Sequence, residues 1–235
     1  MTLTAQGMSV SFGGVHAVVD VDLEVTEGGL VGLIGPNGAG KTTFIDAITG
    51  FVRSRGRVEL DGEDLSRLAP HVRARRGLAR TWQAIELFDD LTVGENVAVA
   101  ASDQSQHALE LVGLDSVVAG KMPSQLSQGE RKLAGVARAL AAKPRVVCLD
   151  EPAAGLDSTE SELLGKRLRK VVEGGTGMLL VDHDMSLVLS VCDHIVVLEF
   201  GKVIARGSPD EVRRNPRVVE AYLGSTGAER VAEQL

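Results

Sequence analysis

Apolar and polar residues alternate over residues 8–12 and 19–25, as they do in half-buried antiparallel strands. Glu27-Gly28-Gly29 marks a turn into Leu30-Val31-Gly32-Leu33-Ile34, a continuous apolar run of the kind that parallel sheets bury on both faces. A glycine-rich stretch follows, and Phe44-Ile45-Asp46-Ala47-Ile48 then reads as a helix. Arg57-Val58-Glu59-Leu60 predicts a strand entering a tight turn at Asp61-Gly62. Ala79-Arg80-Thr81-Trp82-Gln83 is strand-like and ends on its glutamine. From residue 93 to 118 the spacing becomes helical, without strand alternation. Ser127 is placed to cap a strongly helical segment over residues 131–142. The buried strand Val146-Val147-Cys148-Leu149 ends in Asp150-Glu151-Pro152. A helix centred on residues 163–172 leads to a second buried strand, 177–181, ending in Asp182-His183-Asp184. Two further strands, 195–198 and 203–206, flank Gly201, one helix is expected over 209–223, and residues 225–235 read as a frayed tail.

These elements predict an α/β fold: a mostly parallel core sheet, an antiparallel β subdomain and an inserted α-helical subdomain. Residues 1–92 and 145–224 would form the core with the β subdomain, and residues 93–144 the helical insertion. A chain of 235 residues is long enough to bury a sizeable core as one such domain. Its 44% hydrophobic and 24% charged residues are ordinary for a globular protein. The net charge of -7 argues against a nucleic-acid partner. With no run long enough to span a bilayer and no signal-peptide pattern at residues 1–6, the expected location is the cytosol. Cys148 and Cys192 sit in apolar stretches without metal-ligand spacing and read as buried, reduced packing residues.

Gly35, four residues, Gly40, Lys41 and Thr42 match the phosphate-loop pattern, in which small residues let backbone N–H groups close around phosphate oxygens. Pro36, Asn37, Gly38 and Ala39 complete the cradle. Lys41 would reach the β- and γ-phosphates, Thr42 would offer its hydroxyl to Mg²⁺, and Thr43 continues into a helix whose positive end faces the anion. Asp150 and Glu151 lie at the C-terminal edge of a parallel strand, where open α/β sheets place their ligands. His183 shares that edge. The run Arg73, Arg75, Arg76 and Arg80 reads as a solvated helix face. Phe12, before the Gly13-Gly14 turn, is either a core ring or a stacking surface for adenine. Ser127 beside Gly129 at a helix start is a second potential anion site.

Taken together, the phosphate loop, the Ser-Gly helix start, the Asp-Glu strand end and the later histidine resemble the nucleotide-binding subunit of an ATP-binding cassette (ABC) transporter, from residue 8 to about residue 224. The resemblance implies the P-loop ABC ATPase fold and the cofactors ATP and Mg²⁺. It implies that Asp150 holds the metal and that Glu151 polarises the attacking water. Gln83 matches the glutamine that reaches metal and γ-phosphate, and His183 the switch histidine. By the same resemblance Lys41 would stabilise charge, and Phe12 would be the aromatic that stacks on adenine. Leu126-Ser127-Gln128-Gly129-Glu130 is similar to the family signature, with Gln128 replacing a glycine and Glu130 a glutamine. Gly155-Leu156-Asp157 resembles the D-loop. In this family two subunits sandwich two ATP molecules head to tail, each signature facing the other subunit's phosphate loop.

Arg80-Thr81-Trp82-Gln83, the Ala153-Ala154-Gly155-Leu156 segment, His183-Asp184-Met185 and the stretch from Asn215-Pro216 to Leu223-Gly224 resemble the ATPases of branched-chain amino acid importers. Trp82 stands where that group usually has Phe. The implied partners are two membrane permease subunits, a second ATPase subunit, identical or related, and a substrate-binding protein. The implied location is peripheral, on the inner face of the cell membrane. Urea or amide importers, a lipopolysaccharide exporter and a soluble non-transport ABC ATPase are the alternatives.

Overall fold

The computed structural model describes residues 2–83 and 86–223. In chain order, β1 (Thr2–Phe12), β2 (Val15–Thr26) and β3 (Leu30–Ile34) lead into α1 (Lys41–Thr49), and β4 (Arg55–Leu60) and β5 (Glu63–Asp64) precede α2 (Pro70–Arg75) and β6 (Leu78–Arg80). Helices α3 (Val93–Ala98), α4 (Ser105–Leu111), α5 (Ser116–Ala119) and α6 (Gln128–Ala141) follow. The chain then alternates through β7 (Val146–Asp150), α7 (Ser158–Glu173), β8 (Gly177–Val181), α8 (Met185–Val191), β9 (His194–Glu199) and β10 (Lys202–Gly207), and closes with α9 (Pro209–Arg213) and α10 (Pro216–Leu223).

Two sheets divide the strands. The larger runs β10-β9-β3-β8-β7-β6 and is parallel except at the β10/β9 edge; the smaller, β2-β1-β4-β5, is antiparallel. Every residue of β3, β7 and β8 is buried, which explains their unbroken apolar runs. Successive side chains on these strands serve opposite cores. Val31, Leu33, Val146 and Cys148 pack with Phe44 and Ile45 of α1 and with the antiparallel sheet. Leu30, Ile34, Val147 and Leu149 pack instead with α6, α7 and α8. The helix after the phosphate loop is thus held between the two sheets.

The expected α/β architecture is borne out, and three local expectations are corrected. The first two strands are longer than their alternation suggested, running to Thr26 through several β-bulges. The helical stretch expected over 93–118 is borne out, as three α-helices. Gly113, at φ 71, ends the second, and the Asp115 side chain accepts from the Val118 amide to start the third. The single helix expected over 209–223 breaks at Asn215-Pro216, because proline carries no N–H to continue the ladder and Asn215 Oδ1 takes the Arg217 amide instead.

The third correction concerns the arginine run. Arg75 and Arg76 are exposed, but Arg73 is 4% exposed and donates to the Ala47 and Ile48 carbonyls of α1, as well as to Leu68 and Ser66. It clamps α2 onto the C-terminal end of α1, where free carbonyls favour a cation. Arg80 is also withdrawn from solvent. Cys148 and Cys192 are buried and unpaired as expected; burial pushes the Cys148 thiol up to about 12 and raises that of Cys192 as well. Residues 225–235 lie outside the described residues.

Candidate functional site

The phosphate loop begins where β3 runs out. Gly35 (φ 151) and Gly40 (φ 103) adopt backbone conformations that suit glycine, and added Cβ atoms would lie 2.1 Å from the Leu198 carbonyl oxygen and 2.3 Å from that of Ala17. Both strands that crowd the loop, β2 and β9, therefore require these glycines. Gly38 also has a positive φ, 80°, in open space. Helix α1 starts at Lys41 with Gly40 as its N-cap, and no side chain caps it. The loop narrows around its lysine: Lys41 Nζ donates to the carbonyls of Gly35 (2.6 Å) and Pro36 (3.1 Å), and the Ala39 amide returns to Pro36 (3.1 Å). Burial lowers the Lys41 pKa, opposed by the carboxylates of Glu151, Asp150 and Asp182. Asn37 and Thr42 are exposed, and Thr43 is partly so.

Three parallel strands deliver the other side. At the end of β7, Asp150 is 3% exposed and its amide donates to Thr81 Oγ1 (3.3 Å) beyond β6. Burial raises its carboxyl pKa, the Arg80 guanidinium opposes that shift, and Glu151 and Asp46 add to it. Glu151 turns out of the strand with φ 47, a left-handed conformation that costs a residue with Cβ about 1–3 kcal/mol. It is held there by its amide bond to the Val181 carbonyl (2.7 Å) and by Lys132 Nζ on its own carbonyl (3.3 Å). Gln83 Nε2 donates to Glu151 Oε2 (2.7 Å), and His183 Nδ1 stands 3.8 Å from the same oxygen. Glutamine, glutamate and histidine from three strand ends thus converge.

The chain matches known proteins along almost its whole length. Residues 18–154 fit the ABC transporter family model, and residues 202–228 fit that of the branched-chain amino acid ATP-binding cassette transporter. The chain belongs to the ABC transporter ATPases. The high-affinity branched-chain amino acid transport ATP-binding protein BraF of Pseudomonas aeruginosa is 38% identical, over 94% of this chain and 97% of that protein. The lipopolysaccharide export system ATP-binding protein LptB of Haemophilus influenzae is 36% identical over the same shares. A solved ATP-binding cassette of an ABC transporter in its ADP conformation superposes with a TM-score of 0.88 at 28% identity, covering 96% of this chain and all of that one.

In this ABC ATPase residues 126–130, the segment similar to the family signature, run into the start of α6. Ser127 is the N-cap and forms a capping box with Glu130: Ser127 Oγ accepts from the Glu130 amide (3.1 Å), and Glu130 Oε2 accepts from the Ser127 amide (2.9 Å). Gln128 and Gly129 abut the D-loop side of the same chain. Added Cβ atoms would lie 2.6 Å from Gln128 Nε2 at Gly155, and 3.2 Å from Glu160 Oε1 at Gly129. Asp157 caps α7 in a box of its own with Glu160. Among the described residues, no hydrogen bond joins residues 126–130 to the phosphate loop.

Phe12 is 53% exposed, so the core-ring alternative falls. It closes the β1–β2 turn opposite Val15, two residues before Ala17, whose carbonyl touches the loop at Gly40.

Three further residues of the candidate site belong to none of its sequence motifs. Asp182 is fully buried and its two oxygens accept from the amides of His183 (2.8 Å), Asp184 (3.0 Å) and Ala153 (2.9 Å), fixing the histidine turn against the turn after β7 that begins at Glu151. Its place at a strand end was the available signal. Lys132 and Arg80 gave no local signal, because their contacts lie far away in sequence.

Proposed function

We propose that this ABC ATPase powers an importer for branched-chain or other hydrophobic amino acids. It would sit on the inner face of the cell membrane beneath two permease subunits, paired with a second ATPase subunit and supplied by a substrate-binding protein. The observation that carries this reading is the match of residues 202–228 to the branched-chain amino acid ATP-binding cassette transporter family, joined by relatives named for branched-chain amino acid transport. No helix among the described residues is long and apolar enough to cross a membrane, so permeation would fall to partners. The relatives named for lipopolysaccharide export favour a second reading, an export ATPase.

In the proposed mechanism the backbone amides of Gly38 to Thr43 and the bare start of α1 bind the phosphates, while Gly35, Pro36 and Asn37 shape the turn. Lys41 leaves its carbonyls for the β- and γ-phosphate oxygens. Phe12 stacks on adenine. Asp150 fits a hard divalent cation: its Oδ1 is buried without a hydrogen-bond partner, and the Thr42 hydroxyl stands exposed at the same edge. Asp150, Thr42 and Gln83 would hold Mg²⁺, which when bound neutralises phosphate charge. Glu151 orients the attacking water, with Gln83 and His183 positioned to sense the γ-phosphate. Ser127, Gln128 and Gly129 of one subunit would close the site of the other, flanked by Asp157.

Vesicles carrying the chain with its permeases are expected to accumulate leucine when ATP is supplied inside the coupled compartment. Glu151→Gln should retain ATP binding, run as a stable dimer on gel filtration with ATP and Mg²⁺, and lower hydrolysis and uptake by about 10²–10⁴-fold. Full hydrolysis by the variant would overturn the assignment of Glu151. ATP turnover by the wild type that extracts lipopolysaccharide and accumulates no leucine would favour the second reading.

A further inference from the structure

Arg80, the last residue of β6, carries a charge that the sheet withdraws from solvent: its side chain is 6% exposed. Nη1 reaches Asp46 Oδ1 on α1 at 2.5 Å, and Nη2 reaches Asp150 Oδ2 at the end of β7 at 3.2 Å. Nη1 also lies 3.4 Å from Thr49 Oγ1. One planar fork thus ties the helix behind the phosphate loop to the strand end that presents the buried carboxylate, a bidentate geometry that lysine cannot supply.

The other side of the guanidinium is aromatic. Its central carbon lies 3.9 Å from the centroid of the Trp82 ring and 5.4 Å from that of Phe51. The two rings meet edge to face, with centroids 4.8 Å apart, and each is about half exposed. Trp82 and Arg80 line a groove of about 680 Å³ that also holds Thr42, Gln83, Phe88 and Asp150. The Arg80 contact fixes one oxygen of Asp150 and leaves Oδ1 as a buried acceptor with no partner.

We propose that Arg80 is a positioning residue: it fixes the Asp150 carboxylate with Oδ1 turned to the divalent cation, and it mechanically links that carboxylate to the exposed Phe51–Trp82 ledge. The proposal rests on Asp150 as a metal ligand and goes beyond it. Simple charge repulsion makes the opposite prediction, because a cation beside a metal site weakens metal binding. The two effects can therefore be told apart by sign.

The test measures binding of a fluorescent ATP analogue to the purified chain, in EDTA and across a Mg²⁺ titration. Trp82 emission, from the only tryptophan in the chain, is followed in parallel. Arg80→Gln is expected to raise the half-saturating Mg²⁺ concentration about 10-fold or more, the scale of lost outer contacts to a metal ligand, while metal-free affinity shifts less than about 2-fold. Arg80→Lys, which keeps the charge without the fork, decides the matter if Arg80→Gln does not fold. A rise above about 3-fold supports the proposal, and a smaller rise, or tighter Mg²⁺ binding in either variant, overturns it. Wild-type Trp82 emission should follow the same Mg²⁺ curve; an emission indifferent to Mg²⁺ overturns the link to the ledge. Asp150→Asn separates the two levels. If it leaves the Mg²⁺ response intact, the metal-site reading itself fails. If it abolishes the response while Arg80 variants behave as wild type, only the positioning role falls.

Discussion

Two helix starts in this chain read alike in sequence and differ in structure. Helix α1 begins at Gly40, with no side-chain cap and no acidic residue in its first turn. Helix α6 begins at Ser127, inside a capping box that commits the Ser127 hydroxyl and the Glu130 carboxylate to the helix's own first amides. The first four N–H groups of any helix lack partners within it, and what meets them decides what the end can bind. At α1 the phosphate-loop geometry leaves them facing the site. At α6 a carboxylate already stands where a phosphate would, pinned further by Lys121 at 2.8 Å. Helices α3, α7 and α9 carry the same kind of box, whereas α2 and α4, like α1, have no side-chain cap. A second anion site read from Ser127 and Gly129 is therefore weak alone, and would gain strength from phosphate already anchored by another subunit's loop.

Gly40→Ala should break the contrast most severely. A Cβ at φ 103 costs about 1–3 kcal/mol before its collision with the Ala17 carbonyl is counted. Calorimetric titration should show ATP affinity down by about 10-fold or more, with the melting temperature lowered by about 2–4 °C for each kcal/mol lost. Ser127→Ala should cost about 1 kcal/mol, an ordinary cap loss, while ATP affinity at the isolated chain's own loop stays unchanged and turnover falls. A parallel fall in ATP affinity would show that the two ends are not independent.

The smallest effect belongs to Glu130→Gln. Hydrogen bonds from Lys121 and from the Ser127 amide hold the Glu130 carboxyl below the usual glutamate range. Its folded value lies below its unfolded one, so the stabilisation is present above about pH 4.5 and is lost as the pH falls through the lowered value. Melting curves of wild type and variant should converge in acid and differ near neutrality by about 0.5 kcal/mol or less, given solvent screening. Removing the negative charge should also make the α6 start a better anion site, moving it toward α1.

What could be read in advance was chemistry written in neighbouring residues. Gly35 to Thr43 specify a backbone shape, Val146 to Asp150 a buried strand with a carboxylate at its edge, and Ser127 a cap. The break at Pro216 was written there as well, since a proline inside a helical pattern ends it, but the expectation of one helix over 209–223 passed over it. Arg73 and Arg80 were not legible, because nothing near them differs from a solvated arginine. Their meaning lies in Ala47 and Ile48, and in Asp46 and Asp150, which only the sheet order brings to them. Lys132 reaches the Glu151 carbonyl from a separate helix and was hidden for the same reason.

The two buried thiols make the chain silent toward sulfhydryl reagents. Cys148 lies fully inside β7, beneath α1, and Cys192 is 6% exposed. A single cysteine introduced on the signature side and another on the phosphate loop would be the only reactive pair in an otherwise native background. Disulfide trapping between protomers could then be timed against nucleotide without first stripping the natural cysteines from the core.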